Sequence, residues 1–276
     1  MGILYICATP IGNLEDVSIR LLKTLRRVDL IACEDTRHTI KLLNRYKIKQ
    51  RLVSYHQHSR PEQEDYIIAE LLRGKAVALV TDAGMPGISD PGVKLIQRAI
   101  DTGVKIEVVP GPSAAIAALS VSGMESEGFL FRGFLPARSG QRKTALQELA
   151  QVRYTLVLYE APHRLLKTLE DMLEIWGDRE LVVARELTKV HEEIIRGSIL
   201  KAIQHFKENA PRGEICLVVA GFQPAGKSAD LHAVSLEVDQ LIRAGMAKKD
   251  AFIIKAREYG LKKSDLYKYY EHHLKR

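Results

Sequence analysis

The chain has 276 residues, 46% of them hydrophobic and 27% charged, with a formal net charge of +7. That length allows two ordinary domains and a sizeable core, and the balance is that of a globular protein rather than a disordered one. No apolar run approaches the ~20 residues of a membrane span, and "MGILYICATPIG" has neither a basic leader nor an apolar run long enough for a signal peptide, so a cytoplasmic protein is expected.

Strand and helix patterns alternate from the start. The short apolar runs "ILYICA", "DLIACE", "RLVSY", "AVALV" and "KIEVV" are separated by the amphipathic stretches "SIRLLKTLRRV", "TRHTIKLLNRY", "EQEDYIIAELLRG" and "GVKLIQRAIDTG". Ile19, Leu22 and Leu25, like Ile67 and Leu71, recur at helical spacing. This predicts an α/β domain over residues 1–119 with a mostly parallel sheet covered on both faces. Ligands of such sheets lie outside the carboxyl ends of the strands. Four loops therefore converge: "TPIGNLED", "CEDTRHT", "TDAGMPGISDPG" and "PGPSAAIAAL". The glycines of the third let backbone groups approach a ligand closely.

From "SVSGMESEG" the pattern changes. The strand patterns "FLFRGFL", "YTLVLYEA", "ELVVARELT", "HEEIIRGS" and "EICLVVAG" follow with two clear helices, after Pro162 and after Gly197. They predict a second α/β domain over 120–223 with a more antiparallel sheet. Beyond the polar linker "GFQPAGKSAD", three helix-sized segments over 234–244, 248–259 and 264–275 are punctuated by Gly245 and Gly260. Eleven Lys/Arg against seven Asp/Glu fall between Pro224 and Arg276, a surplus that suits a polyanionic partner or plain solubility. On the RNA reading, Lys248, Lys249, Lys262 and Lys263 meet phosphates, and Tyr267, Tyr269 and Tyr270 stack on unpaired bases. Ala251, Ile254 and Ala256 then face inward, in a helix-turn-helix-like arrangement. A three-helix cap packed on the second domain accounts for the same pattern.

The chemistry-bearing motifs are negative first. Neither a Walker A ending nor a GxGxxG fingerprint is present, which argues against NTPases and NAD dehydrogenases. Cys7, Cys33 and Cys216 sit in apolar runs without CxxC spacing and read as buried, reduced thiols. His56 and His58 have no partner at matching spacing, so no metal site is expected. "CEDTRHT" crowds Glu34, Asp35, Arg37 and His38 at a strand-to-helix turn, either as helix caps or as a substrate-contacting cluster. "YEAPHRL" places Glu160, His163 and Arg164 at another such junction, with Pro162 favouring a helix start. "ARELTKVHEE" carries Arg185, Glu186, Lys189, His191, Glu192 and Glu193 as a solvated charge run or a second functional cluster.

In this order, "TPIGNLED", "CEDTRHT", "TDAGMPGISDPG", "PGPSA", "YEAPHR" and "RELTK" resemble the ribosomal RNA small-subunit methyltransferase I family, across essentially the whole chain. This is a tetrapyrrole-methylase-like branch of the class III S-adenosylmethionine-dependent methyltransferases. The resemblance implies two α/β domains with the methyl donor in the cleft between them, a homodimer, and 2′-O-methylation of a cytidine ribose in the decoding region of 16S ribosomal RNA. Matched onto this chain, the donor contacts are Pro10 and Ile11, then Gly84, Met85 and Ile88, then Ser113 and Ala114, with Tyr159, Leu187 and Ala220 from the second domain. Two departures stand out. "ATPIG" replaces the glycine-rich loop of tetrapyrrole methylases, and Gly84-Met85-Pro86 replaces their Gly-Asp-Pro, removing an acidic donor contact.

A ribose hydroxyl is a weak nucleophile, so a cleft carboxylate is expected to take or polarise its proton. Position favours Asp35 and Glu160, with Asp90 third, while Arg37 and Arg164 hold flanking phosphates. A tetrapyrrole-type small-molecule methyltransferase and a non-catalytic RNA-binding protein remain as alternatives, separated by labelling of ribosomal subunits and by donor binding.

Overall fold

The computed structural model describes residues 2–57, 59–223, 230–259 and 261–274. His58, Gly260 and most of the expected linker lie outside the described residues. The chain divides into a compact unit over residues 1–221 and a second over residues 222–276.

The first unit begins with five β/α repeats: β1 (Ile3–Cys7), α1 (Ile19–Arg27), β2 (Leu30–Cys33), α2 (Thr36–Arg45), β3 (Leu52–Ser54), α3 (Pro61–Leu72), β4 (Ala76–Val80), α4 (Val93–Asp101), β5 (Lys105–Val109) and α5 (Ala114–Ser122). The strands form an all-parallel sheet in the order β3-β2-β4-β1-β5. Strands β2 and β4, flanked on both sides, are buried almost throughout, as expected where helices cover both faces. Local chemistry sets the helix starts. The Ser18 hydroxyl accepts from Leu21 N–H at 3.0 Å, the Asp35 carboxylate accepts from Arg37 N–H at 2.8 Å, and Pro61 opens α3. Leu21 and Leu25 drive α1 into the core. Because every strand points the same way, all five carboxyl ends lie along one edge.

The second sheet is built from β6 (Phe129–Phe134), β7 (Thr155–Glu160), β8 (Glu180–Arg185), β9 (Glu193–Ser198) and β10 (Ile215–Val219), in the order β6-β7-β10-β8-β9. Only β6 and β7 are parallel; β10 runs antiparallel to both β7 and β8. Helices α6 (Ser139–Leu149), α7 (Leu165–Trp176) and α8 (Ile199–Glu208) share its larger core. Helix α6 is absent from the sequence reading because its inward face carries Arg142, 3% exposed and paired with Asp171 at 2.6 Å. A charge at a core position hides the apolar stripe. On the other core of this sheet, α5 packs Ala115, Ala118 and Leu119 against Val157, Val182 and Val218. Residues 114–119, counted by the sequence with the first domain, thus furnish the second sheet's core.

The unit over residues 222–276 has its own core. Helices α9 (Leu231–Arg243), α10 (Lys248–Glu258) and α11 (Lys263–His273) bury Val234, Val238, Phe252, Ala256, Leu266 and Tyr270 together. Ala251 is inward as expected, but Ile254 is exposed and Phe252 takes the core position. No helix among the described residues is long and apolar enough to cross a membrane.

Candidate active site

A cavity of about 420 Å³ opens at the carboxyl edge of the parallel sheet, within the size range of small-molecule sites. Its floor is a cross-brace between two loops. Thr9 N–H donates to the Gly84 carbonyl at 2.9 Å, Gly84 N–H returns a bond at 3.1 Å, and the Thr9 hydroxyl donates to the Thr81 carbonyl at 3.0 Å. Gly84 has φ +82°, a left-handed conformation that side chains other than glycine adopt only with strain. The loop from Thr81 to Gly92 folds over this brace and presents Met85, Ile88, Ser89 and Asp90 to the cavity.

The second sheet closes the other side. Tyr159, at the end of β7, accepts a hydrogen bond on its hydroxyl from Ala115 N–H at 3.2 Å, one of the amides that the first turn of α5 leaves unpaired. Its ring packs edge-on against Phe131 and Phe134, 5.0 and 5.6 Å between centroids. Gly133 sits so near the Thr81–Gly92 loop that a β-carbon there would lie 2.6 Å from the Ser89 hydroxyl. Leu187 lines the cavity from the turn after β8, and Asn13 N–H bonds the Thr188 hydroxyl at 2.9 Å.

The electrostatics are acidic. Glu34, Asp82, Asp90 and Glu214 all line the cavity. Burial pushes the Asp90 carboxyl up to about 7, with Glu34, Asp82 and Glu214 adding to the effect. Burial and the Asp82 charge also raise Glu34. The other two expected carboxylates, Asp35 and Glu160, are each held by partners of their own. Asp35 is not among the lining residues; as the cap of α2 it accepts from Arg37 N–H and from the Arg37 guanidinium at 2.7 Å, which holds it down near 2. Glu160 lines the cavity but is buried and engaged through both oxygens. One accepts from Ala161 N–H and the Arg164 guanidinium, the other from the Thr168 hydroxyl at 2.6 Å.

The sequence profile of the Tetrapyrrole (Corrin/Porphyrin) Methylases matches residues 3–202. The Ribosomal RNA small subunit methyltransferase I of Halalkalibacterium halodurans is 44% identical over 273 residues, 98% of this chain and 94% of that protein. The chain belongs to the ribosomal RNA small subunit methyltransferase I family. The member from Thermotoga maritima is 50% identical over 221 residues, spanning 80% of this chain but 99% of its own length. The fold is that of the uroporphyrin-III-C-methyltransferase of Thermus thermophilus, with a TM-score of 0.58 over 80% of this chain and 94% of that one at 21% identity.

In this methyltransferase, Ile11, Gly84, Met85, Ile88, Ser113, Ala114, Tyr159 and Leu187 all line the cavity. Two expected donor contacts do not. Pro10 is buried off the wall. Ala220 is at the wrong end of its strand: its N–H bonds Glu180, where β8 begins, while Ile215 pairs with Glu160 at the cavity. The carboxyl-end rule holds for parallel strands, and β10 is antiparallel, so its first residues line the site instead. Glu214 and Cys216 were missed for that reason, and Asp82 although it lies within the quoted glycine-rich loop. Burial lifts the Cys216 thiol to about 12, so it stays protonated.

The expected RNA contacts differ among themselves. Arg37 is exposed and paired with Asp35; Arg164 lies over the Phe134 ring at 5.9 Å, beside the cavity. Lys249, Lys262 and Lys263 are exposed. Lys248 is committed to its own unit, paired with Glu271 at 2.6 Å and set over the Tyr267 and Tyr270 rings. Tyr270 is in the core, its hydroxyl donating to Asp239 at 2.8 Å, and Tyr269 stacks on His273. Among the described residues no group of three His, Cys, Asp or Glu is arranged to hold a metal ion.

Proposed function

We propose that this chain methylates the 2′-oxygen of a cytidine ribose in the decoding region of 16S ribosomal RNA, with S-adenosylmethionine as donor. The observation that carries this is the cavity itself: apolar walls, a glycine-opened loop and four rim carboxylates, in a chain of this methyltransferase family. The residues fit such a donor. Ile11, Met85, Ile88 and Leu187 offer apolar surface to a nucleoside, and Glu34, Asp82, Asp90 and Glu214 suit a cationic ligand. S-adenosylmethionine, when bound, supplies a sulfonium-activated methyl group for in-line displacement.

The chain's own part is positioning and proton transfer. Fixing an acceptor hydroxyl in a walled cavity supplies up to about 7–11 kcal/mol of a barrier. Asp90 is the base: held near neutrality, it is ionised enough to accept a proton and basic enough to hold it, a contribution of about 10²–10⁴-fold. Glu160 positions Arg164, and Arg164, Arg37, Lys249, Lys262 and Lys263 contact RNA phosphates. The enzyme works in the cytoplasm as a homodimer, a reading supported by exposed Val108 on the edge strand β5 and exposed Ile116 and Val121 on α5.

The test is incubation of unmodified small subunits with labelled donor, followed by mapping of the modified sugar. A single labelled cytidine ribose supports the reading; labelling of an aromatic macrocycle in its place returns the tetrapyrrole-type alternative.

A further inference from the structure

The charge run "ARELTKVHEE" does not simply face water. Together with "NAPRG" it encloses a second cavity of about 430 Å³, lined among others by Arg185, His191, His205, Asn209 and Arg212. Helix α8 contributes His205 and the buried ring of Phe206 as one side of it. The cavity lies at the same end of the second sheet as the donor cavity, and the two share Gly213.

What separates them is a wall of unusual backbone. Glu186 and Thr188 both have positive φ, +53° and +66°, without being glycine. Such strain persists only where surrounding contacts hold it, and it concentrates at functional sites. Here Glu186 accepts from Glu214 N–H at 2.8 Å and from Lys189 at 2.9 Å, and Thr188 N–H donates to Glu192 at 2.6 Å. The twist sends Glu186 to the second cavity and Leu187 to the first. Gly213 has φ +77°, and a β-carbon there would lie 2.3 Å from the Glu186 carboxyl, so the shared position favours glycine.

The lining suits an anionic, hydrogen-bonding guest. The carboxylates present are already engaged: Glu186 as above, Glu193 by Arg185 at 2.9 Å with His205 at 3.7 Å. The exposed Arg212, His191 and Asn209 add a fixed cation, a titratable ring and an amide that both donates and accepts. An RNA strand that presents one ribose to the donor cavity continues past it, and Gly213 lines both cavities. We propose that the second cavity holds the nucleotide adjoining the methylated one on the same RNA strand, with Arg212 on its phosphate and Asn209 and His205 on its base or sugar. This rests on the RNA-methylating reading above.

The test compares the full chain with Arg212→Ala and Asn209→Ala, both at exposed positions just beyond α8, and with Lys207→Ala, on α8 but outside the cavity, as a charge control. Expected for Arg212→Ala is a KM for single-stranded RNA about tenfold higher, a slope of log affinity against log salt flatter by about 0.7, and unchanged kcat and donor affinity. Asn209→Ala raises KM with no change of slope, and Lys207→Ala leaves KM alone. On RNA truncated at the target nucleotide, the difference between the unaltered chain and Arg212→Ala disappears. The inference is overturned if that difference survives truncation, if KM is unmoved, or if donor affinity falls in step with KM. Failure of the unaltered chain to label RNA overturns the functional reading, and this inference with it; normal labelling that Arg212→Ala does not touch overturns the inference alone.

Discussion

The Tyr159 hydroxyl accepts a hydrogen bond from Ala115 N–H at 3.2 Å, so the second sheet fixes the helix start that the first sheet's last loop delivers to the cavity. Tyr159→Phe removes the acceptor and leaves a helix-terminal amide without its partner. We expect a loss of about 1 kcal/mol in stability, read by urea denaturation, and a several-fold weaker donor affinity by calorimetry. Unchanged donor affinity would separate this bond from the site.

Asp90 gives the clearest dependence on pH. On the proposed role its carboxylate is the active form, so the single-turnover rate should rise about tenfold per pH unit up to about 7 and level off above. In Asp90→Asn the profile flattens and the plateau falls by about 10²–10⁴-fold. Stability moves in the opposite sense. A raised carboxyl favours the protonated folded state, so stability is full near pH 4, declines as pH approaches 7 and is then level. Asp90→Asn should therefore be more stable than the unaltered chain at pH 8, by about 1–2 kcal/mol after solvent screening, with the gain vanishing near pH 4.

Glu160 and Asp35 are expected to behave differently from a base. Glu160→Gln breaks a buried pair with Arg164 and destabilises the fold by about 3 kcal/mol, while the protein that remains folded transfers methyl groups within tenfold of the normal single-turnover rate. Asp35→Asn leaves that rate unchanged, because the side chain caps α2 and holds Arg37 rather than lining the cavity. A drop of 10²-fold or more in either variant would restore it as the base.

On the proposed reading, the helical unit supplies affinity rather than chemistry. Every residue lining the donor cavity belongs to the unit over residues 1–221, and one family member is shorter than this chain by about a fifth. A chain ending at Gly221 should bind the donor normally and keep its kcat at saturating RNA. Its KM for RNA should rise, and the salt slope should flatten by about 2, the share of the three exposed lysines 249, 262 and 263. An unchanged slope would remove RNA binding from this unit.

Much of the site was legible because its signals are local. In a parallel β/α sheet each strand's carboxyl end faces the same way, so reading "TDAGMPGISDPG" and "PGPSA" as strand-to-helix loops was enough to bring Gly84, Met85, Ile88, Ser113 and Ala114 to one cavity. Ala220 failed for the converse reason. Strand direction in the second sheet is set by pairing between segments some 30 to 60 residues apart, which no local pattern records. Arg142 hid α6 in the same way, its burial resting on Asp171 in another helix.

By itself, the sequence determined the alternation of strands and helices in the first sheet, the glycine-opened loops and the family, since periodicity, turn chemistry and motif spacing are properties of neighbours along the chain. Only the tertiary structure decided how the three candidate carboxylates differ in their surroundings. Asp35, Glu160 and Asp90 are alike in sequence terms, each near a strand end, but their partners separate them: Arg37 beside the first, Arg164 and Thr168 around the second, and other carboxylates around the third. A proton's affinity for a carboxylate is set by nearby charge and by exclusion of water, and folding alone brings Glu34, Asp82 and Glu214 around Asp90.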